Sequence, residues 1–589
     1  MSEPKANELM EKIVSLCKRR GFVYPSSEIY GGIQGFWDYG PLGAELKRNV
    51  KELWWTTMTR MRDDVVGLEA TIIMHPQIWK ASGHVDTFSD PMCDCLLTKK
   101  RFRADQVEAQ SGVVYHYSGA KDTASGKQLL DPFAVLLGAG KPPESARKTA
   151  AQFYQQRGLQ NVELLGERTE KVENSQRFNP DNGAQLTEPR PFNLMFKTYV
   201  GPVADEENVA YLRPETAQAI FAQFKNVLET SRQKVPFGIA QVGKAFRNEV
   251  TPRNFTFRSR EFEQMELEFF IKPDEVVEAI TGGVAKPSGP GHPGEPQANW
   301  GWQLWHQYWV EERIKFYEGI GLPRTTLEEY WQKPEELAHY ARATVDILVK
   351  FPFGTQELEG IAARSDFDLS QHERCSGKSM GVFDEELRTA WAKLDDAKKA
   401  ELSKRYYEAR FQYLAKSAVP AEKAEKEAKE DAEGLAKGQY IPHVIEPSAG
   451  VDRLILALIA NAYSEVTSTD EKGKAETRVV MRFHPRISPV KVGVFPLLKN
   501  KPELVAKAKE VFSALRSQMV AFYDETGAIG RRYARQDEAG TPFCVTIDFE
   551  TLGEKPELLN TVTVRHRDDG RQERIAIAEL PDWLLARVG

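Results

Sequence analysis

Between Phe237 and Phe270 the chain reads FGIAQVGKAFRNEVTPRNFTFRSREFEQMELEFF, two polar-apolar alternating runs flanking a connection that contains proline and asparagine. Alternation of period two belongs to strands, and such a connection returns the second strand against the first. On this reading Arg247 and Glu249 share one strand face, and Gln264, Glu266 and Glu268 share a face of the return strand. Arg253, Arg258 and Arg260 fall in the connection. Carboxylates and guanidinium groups are costly to bury unless paired or engaged by a ligand. A loop of arginines above a polar wall suits a polyphosphate that must be held and bent. A hairpin with an ordinary solvated charged face satisfies the same pattern.

A second segment, IPHVIEPSAGVDRLILALIANAYSE at Ile441 to Glu465, begins extended, turns through Ser448, Ala449 and Gly450, and continues as an apolar helix. Arg453 falls in the first turn of that helix, against the dipole's preference for anions there. That placement is natural where an anionic ligand occupies the corner. At 589 residues the chain is too long for one core, and 28% charged with 41% hydrophobic residues is the make-up of a globular protein. The formal net charge of −6 is neutral about RNA, since a local basic patch suffices. The opening MSEPKANELMEKIVSLCKRRGF has Leu9, Ile13, Leu16 and Cys17 at helical spacing and no unbroken apolar stretch, so no leader is expected. The longest apolar run, Leu454 to Ala460, is far short of the roughly 20 residues of a spanning helix. Five cysteines give no disulfide framework. Cys93 and Cys95 form a C-x-C without a second pair, and reduced thiols beside ordinary histidines (His75, His84) are favoured over a zinc site. No metal ligand set is assigned.

The two segments resemble motifs 2 and 3 of the class II aminoacyl-tRNA synthetases. Six strings narrow the resemblance to glycyl-tRNA synthetase of the homodimeric, class IIa type: FVYPSSEIYGGIQGFWDYGPLGAELKRN, KRFRADQ, YLRPETAQAIF, RNE, FRSREFEQME and EPSAGVDR. The resemblance implies an α+β fold, an antiparallel catalytic sheet with helices and insertions followed by a C-terminal α/β anticodon-binding domain. It implies ATP-dependent formation of glycyl-adenylate and transfer of the glycyl group to the 3′-terminal adenosine of tRNA(Gly). ATP, Mg²⁺, glycine and tRNA(Gly) follow as ligands, with a cytoplasmic homodimer that binds neither membrane nor DNA. By the same resemblance Arg247 faces the α-phosphate, and Arg258 and Arg453 the β- and γ-phosphates. Asn248, Glu249, Phe257, Phe262, Glu357, Leu358, Gly450 and Asp452 complete the ATP set, with Glu249 and Glu357 on the adenine or Mg²⁺ side. Glu215 and Glu266 take the glycine ammonium, Arg103 the carboxylate, and Ser448 with Ala449 close the pocket near Cα. Phe262, Gln264, Glu446 and Gly450 line it. Glu215 follows Pro214 and also suits a helix cap.

Breaks in pattern divide the chain into 1–98, carrying a helix and a strand ending at Pro76 that resemble motif 1 and its dimer interface; an insertion, 99–190; a catalytic part, 191–485; and an anticodon-binding domain, 486–589. SGAKDTASGK, LGAGKPPESARK and FNPDNGAQ read as loops of the insertion. Further helical insertions are expected at about 286–345, where the tryptophans of WGWQLWHQYWVEERIKFYEGIG read as a core stripe, and 385–437, where AEKAEKEAKEDAEGLAK reads as a solvated helix. RRYAR, Arg531 to Arg535, is a basic aromatic cluster able to meet phosphates, or a solvated basic turn. Two other classes stay open. A non-catalytic relative, such as a DNA polymerase accessory subunit, should lack the ATP-gripping arginines that this chain keeps, whereas a synthetase for proline, serine or threonine differs through the EPSAGVDR and RPETAQ strings.

Overall fold

In the computed structural model, which describes residues 6–338, 340–416, 419–469 and 475–589, the alternating runs pair as read. Seven strands form one sheet: β1 (Val65–Gly67), β2 (Phe237–Phe246), β3 (Glu261–Ile271), β4 (Leu327–Trp331), β5 (Ala343–Phe351), β6 (Gly354–Ala363) and β7 (His443–Gly450). Their spatial order is β4-β5-β6-β7-β3-β2-β1, antiparallel throughout except for the parallel β2–β1 pair. The chain divides into two units. One comprises Met1–Ser82, Glu215–Phe246 and Asn254–Gly589, the other Gly83–Pro214 with Arg247–Arg253.

One face of the sheet is apolar because every second residue is. Met265, Leu267 and Phe269 of β3, Ile445 and Ala449 of β7, and Val345 and Ile347 of β5 enter one core with helices α1 (Ala6–Arg20), α2 (Pro41–Trp55), α4 (Trp302–Gly319) and α6 (Val451–Ala462). The tryptophans of α4 are core as expected: Trp305 and Trp309 lie 4.9 and 5.1 Å from the Phe269 ring. Each such side chain contributes about 1.5–3 kcal/mol by burial. At one end of the opposite face, Phe237, Ile239 and Phe270 pack on Phe221 and Phe224 of α3 (Ala217–Ser231) and Leu369 of α5 (Phe367–Ser376). The other end of that face is polar.

Several local expectations change. β2 stops at Phe246, and Glu249 N–H turns back to the Arg247 carbonyl (2.7 Å), so Arg247 and Glu249 do not share a strand face. The strand expected to end at Pro76 is two short pieces, Val65–Gly67 and Ile73–Met74, and Pro76 opens the helix Pro76–Ala81, a position where its missing N–H costs nothing. In the second unit two supposed loops hold structure: Gly119–Asp122 is a strand and Pro143–Gln155 a helix. The charged helix Ala421–Gly434 is solvated on one side only, burying Ala424 and Ala428 against Leu414.

The last hundred residues form the expected mixed sheet, β8 (Val492–Pro496), β9 (Ala521–Tyr523), β10 (Phe543–Ile547), β11 (Thr561–His566) and β12 (Gln572–Ala576), in the order β9-β8-β10-β11-β12. Its first three strands are parallel. Crossover helices α7 (Pro502–Leu515) and α8 (Ile529–Ala539) supply the connections that parallel pairing requires.

Candidate active site

The polar end of the sheet is built by register. Gln264 and Glu266 of β3 stand opposite Gly450 and Ser448 of β7, and Ser448 stands opposite Gly360 of β6. Side chains at alternate positions therefore converge on one face. The Glu266 carboxylate accepts from Thr216 N–H (3.0 Å), Thr216 Oγ1, Gln264 Nε2 (2.8 Å) and Ser448 Oγ (2.6 Å). Four donors match the lone-pair sites of one carboxylate. Ala449, by contrast, is fully buried in the apolar core. It cannot close the pocket with Ser448, because neighbouring strand residues point to opposite faces.

Beside this wall lies Arg364, a residue that sequence reasoning missed. Its guanidinium donates to Asp368 (2.9 Å twice) and Glu446 (2.7 Å) and stacks 3.8 Å from the Tyr340 ring. Gln218 of α3 donates to Asp368 (2.9 Å) and Glu215 (3.1 Å) and meets His372 (3.0 Å). Glu268, on the same face as Glu266, is fully buried and meets no donor among the described residues. Burial and the neighbouring carboxyls hold its pKa well above the usual carboxylate range. Burial, only partly offset by Arg364, pushes Glu446 up to about 7. Five carboxyl groups, of Glu215, Glu266, Glu268, Asp368 and Glu446, thus gather about the Arg364 guanidinium, a cluster with more acids than this one cation answers. Tying Ser448, Glu215 and Glu446 into one cluster was within reach of sequence reasoning. Finding Arg364 was not, because nothing near it in sequence marks it.

Next to this cluster, α6 begins at Val451, with Gly450 as its N-cap. Gly450 has an ordinary φ of −80°, and an added Cβ would meet only the Arg453 side chain, at 3.7 Å. Arg453, partly exposed, donates to the Glu357 carbonyl (3.3 Å), approaches the Glu357 carboxylate (3.5 Å) and lies 4.7 Å over the Phe257 ring. Phe351 and Phe353 meet the Phe257 edge, each at 5.2 Å. A register shift between Ile347 and Leu348 turns Glu357 toward Arg453, leaving Leu358 in the core and Glu359 buried against Arg313. Asp452 spends its carboxylate on Tyr39 Oη (2.6 Å), Lys47 Nζ (2.8 Å) and Glu263 N–H (2.7 Å). It thereby fixes the start of α6 to α2 and β3. Phe262 is half-buried opposite Ala245. Arg258 follows the turn Phe255–Phe257, and Arg260 Nη1 donates to the Gln34 carbonyl (2.9 Å).

The remaining candidates belong to the second unit. Arg247 Nε donates to the Pro214 carbonyl (3.0 Å) and its guanidinium lies 5.5 Å from the Phe88 ring. Asn248 N–H donates to the Leu194 carbonyl (2.8 Å), and Glu249 is buried. Arg103 pairs with Asp90 (3.0 Å) and Asp105 (2.8 Å). Cys93 and Cys95 are buried thiols, the first donating to the Phe102 carbonyl (3.7 Å), the second accepting from Asn179 (3.4 Å).

Comparison with known proteins places this geometry. Residues 196–286 match the tRNA synthetase class II core domain (G, H, P, S and T), and residues 491–587 match the anticodon binding domain. An antiparallel sheet carrying a charged pocket, joined to such a domain, defines a class II aminoacyl-tRNA synthetase. The chain is 41% identical over 99% of its length to the glycine–tRNA ligase of Thermobifida fusca, covering 98% of that protein, and 42% identical over 98% of its length to that of Thermus thermophilus, covering 99%. The counterpart in Rhodopirellula baltica is 41% identical over 98% of this chain and 99% of its own. The chain belongs to the glycine–tRNA ligase family.

Proposed function

We propose that this protein attaches glycine to tRNA(Gly) in two steps: the glycine carboxylate attacks the α-phosphate of ATP and pyrophosphate leaves, then the adenylate's glycyl group passes to the 3′-terminal adenosine. The observation that carries the amino-acid half is the acid-rich pocket on the sheet. Glu266 is already filled by four donors, so the ammonium is shared by Glu215 and Glu446, and Glu266 holds Ser448 and Thr216 in place. Ser448, fixed by that bond, stands against an added methyl, and packed atoms resist overlap. Gln264 and Phe262 flank the amino acid, and Arg103 is assigned to its carboxylate.

On the nucleotide side, Arg453 lies 4.7 Å over the Phe257 ring, and adenine would take the Phe257 face once the guanidinium swings aside. Arg258 and Arg453 hold the outer phosphates, and Arg247, with Asn248 and Glu249, the α-phosphate, where charge builds in the transition state. Leu358 contributes backbone only, Gly450 leaves room beside Arg453, and Asp452 positions rather than contacts. Mg²⁺ is usually bound through one or two carboxylates plus phosphates. Glu357 fits that use: it and Asp346 lie 3.9 and 3.6 Å from the position a Cβ at Gly360 would take. Bound there, the ion would neutralise phosphate charge.

We assign a homodimer on the resemblance to motif 1, whose segment exposes Ile73, and on the exposed apolar residues Ile29 (88%) and Tyr30 (87%) of the loop that precedes it. Sedimentation showing a monomer at micromolar concentration would remove that assignment. We assign a cytoplasmic location on the family resemblance; among the described residues no helix is long and apolar enough to cross a membrane. Amino-acid-dependent pyrophosphate exchange across the standard amino acids tests the reading. Exchange is expected with glycine alone, and silence with every amino acid overturns it.

A further inference from the structure

We propose that Glu268 is a neutral carboxylic acid whose proton is donated to Glu446, making it a positioning residue that holds Glu446 for the substrate ammonium. This rests on the glycine-pocket reading above. Glu268 has 0% exposure, and among the described residues neither of its oxygens meets an N–H or O–H donor. An ionised carboxylate so placed would carry its full desolvation cost. Arg364 offsets its charge only in part, from a distance, and the neighbours show why no cation among the described residues donates to it. On its own strand stands Glu266, whose sites are filled. β2 sets Ile239 opposite it. From beyond β6 and from α5 come Arg364 and Asp368, which already bind each other through two hydrogen bonds. α3 contributes Gln218, engaged with Asp368 and Glu215, and the Phe221 ring, 5.5 Å from Arg364. β7 contributes Glu446, whose one hydrogen bond comes from Arg364.

Glu268 and Glu446 therefore form a pair of acceptors on adjacent strands, stable only with a proton between them. Such a proton belongs to the pair rather than to either residue. Glu268 is displaced upward by burial and by the charge of Glu446, and Glu446 by burial and by the charges of Glu266 and Glu215, in accord with a pair that keeps one proton at neutral pH. The shared proton fixes the Glu446 carboxylate against Arg364 with its remaining valence toward the pocket. Its loss sets two anions against each other and loosens Glu446.

The test compares E268Q with E268L. The glutamine amide donates permanently, so E268Q should keep the glycine KM of pyrophosphate exchange within about threefold of wild type and lack the rise in KM expected of wild type toward alkaline pH. E268L has no donor and should raise the glycine KM by about tenfold or more with little change in kcat. Infrared spectra supply a readout independent of activity and of E268L folding: wild type should show the carbonyl stretch of a buried protonated carboxylic acid, absent in E268Q. Equal KM increases in E268Q and E268L, or no such band in wild type, would overturn the proposal. Wild type that shows the band but exchanges no pyrophosphate with glycine would instead strike the pocket reading.

Discussion

The two faces of the catalytic sheet bury carboxylates under opposite rules. On the apolar face, Glu359 meets Arg313 (2.8 Å) and Tyr317 Oη (2.5 Å), and both members of the ion pair are 1% exposed. On the polar face, one guanidinium, Arg364, serves Asp368 and Glu446, while Glu268 meets no donor among the described residues. The first arrangement is closed as to charge: carboxylate and guanidinium answer each other, although Arg313 Nη2 meets no acceptor among the described residues. The second leaves negative charge unanswered, which costs stability and suits a cationic group that arrives from outside. A buried acid thus reports structure or function according to whether its partners are already present.

Breaking the closed face should give the largest effect. Glu359→Ala strands the Arg313 guanidinium in the core and should cost about 3–5 kcal/mol in urea unfolding, with pyrophosphate exchange per folded molecule unchanged. Next comes the nucleotide stack. Arg453→Ala removes a partly exposed cation with a single backbone bond, so melting should hold while activation falls about 10²–10³-fold. Near-normal exchange in the folded variant would remove Arg453 from the site. Arg247→Ala carries the same expectation for activation.

The open face yields a subtler contrast. The pKa of Glu446 rises on folding from 4.5 to about 7, so its contribution to stability is fully present below 4.5 and is lost as pH rises through about 7. Glu446→Gln should flatten that part of the stability-versus-pH curve and leave the protein at least as stable at neutral pH. Its glycine KM should rise by about tenfold, the scale of one charge-assisted hydrogen bond. A large loss of stability at neutral pH would mean that Glu446 belongs to the closed kind.

Much of this was legible in the chain. The alternation of EFEQMELEFF finds the wall, because burial acts at period two along a strand, and the apolar run after Arg453 finds its helix. What hydrogen bonds decide was not legible. Nothing around Asp452 announces that Lys47, 405 positions away, occupies it. Arg364 has no periodic context, and its partner Glu446 is 82 positions distant. Ala449 was misplaced by reading a loop where β7 continues to Gly450. Adjacent residues there face opposite sides.

The same distinction between closed and open charges applies in the last domain, where it predicts the smallest effect. Of the RRYAR arginines, Arg532 is buried, donating to the Gly527 carbonyl (2.9 Å) and to that of Pro496, and Arg535 is spent on Asp524 and the Thr526 carbonyl (2.6 Å). Tyr533 Oη meets Thr546 Oγ1 (2.6 Å). Only Arg531 of the three is exposed. Arg532→Ala should therefore loosen the domain's own melting transition, whereas Arg531→Ala should leave melting and pyrophosphate exchange untouched. If Arg531 meets a tRNA phosphate, its loss should lower the slope of log affinity against log salt by about one and weaken charging only at limiting tRNA. An unchanged slope for Arg531→Ala, with a reduced slope for a still-folded Arg535→Ala, would show that a closed ion pair opens to meet RNA, and internal pairing would then not separate structural from functional charge in this domain.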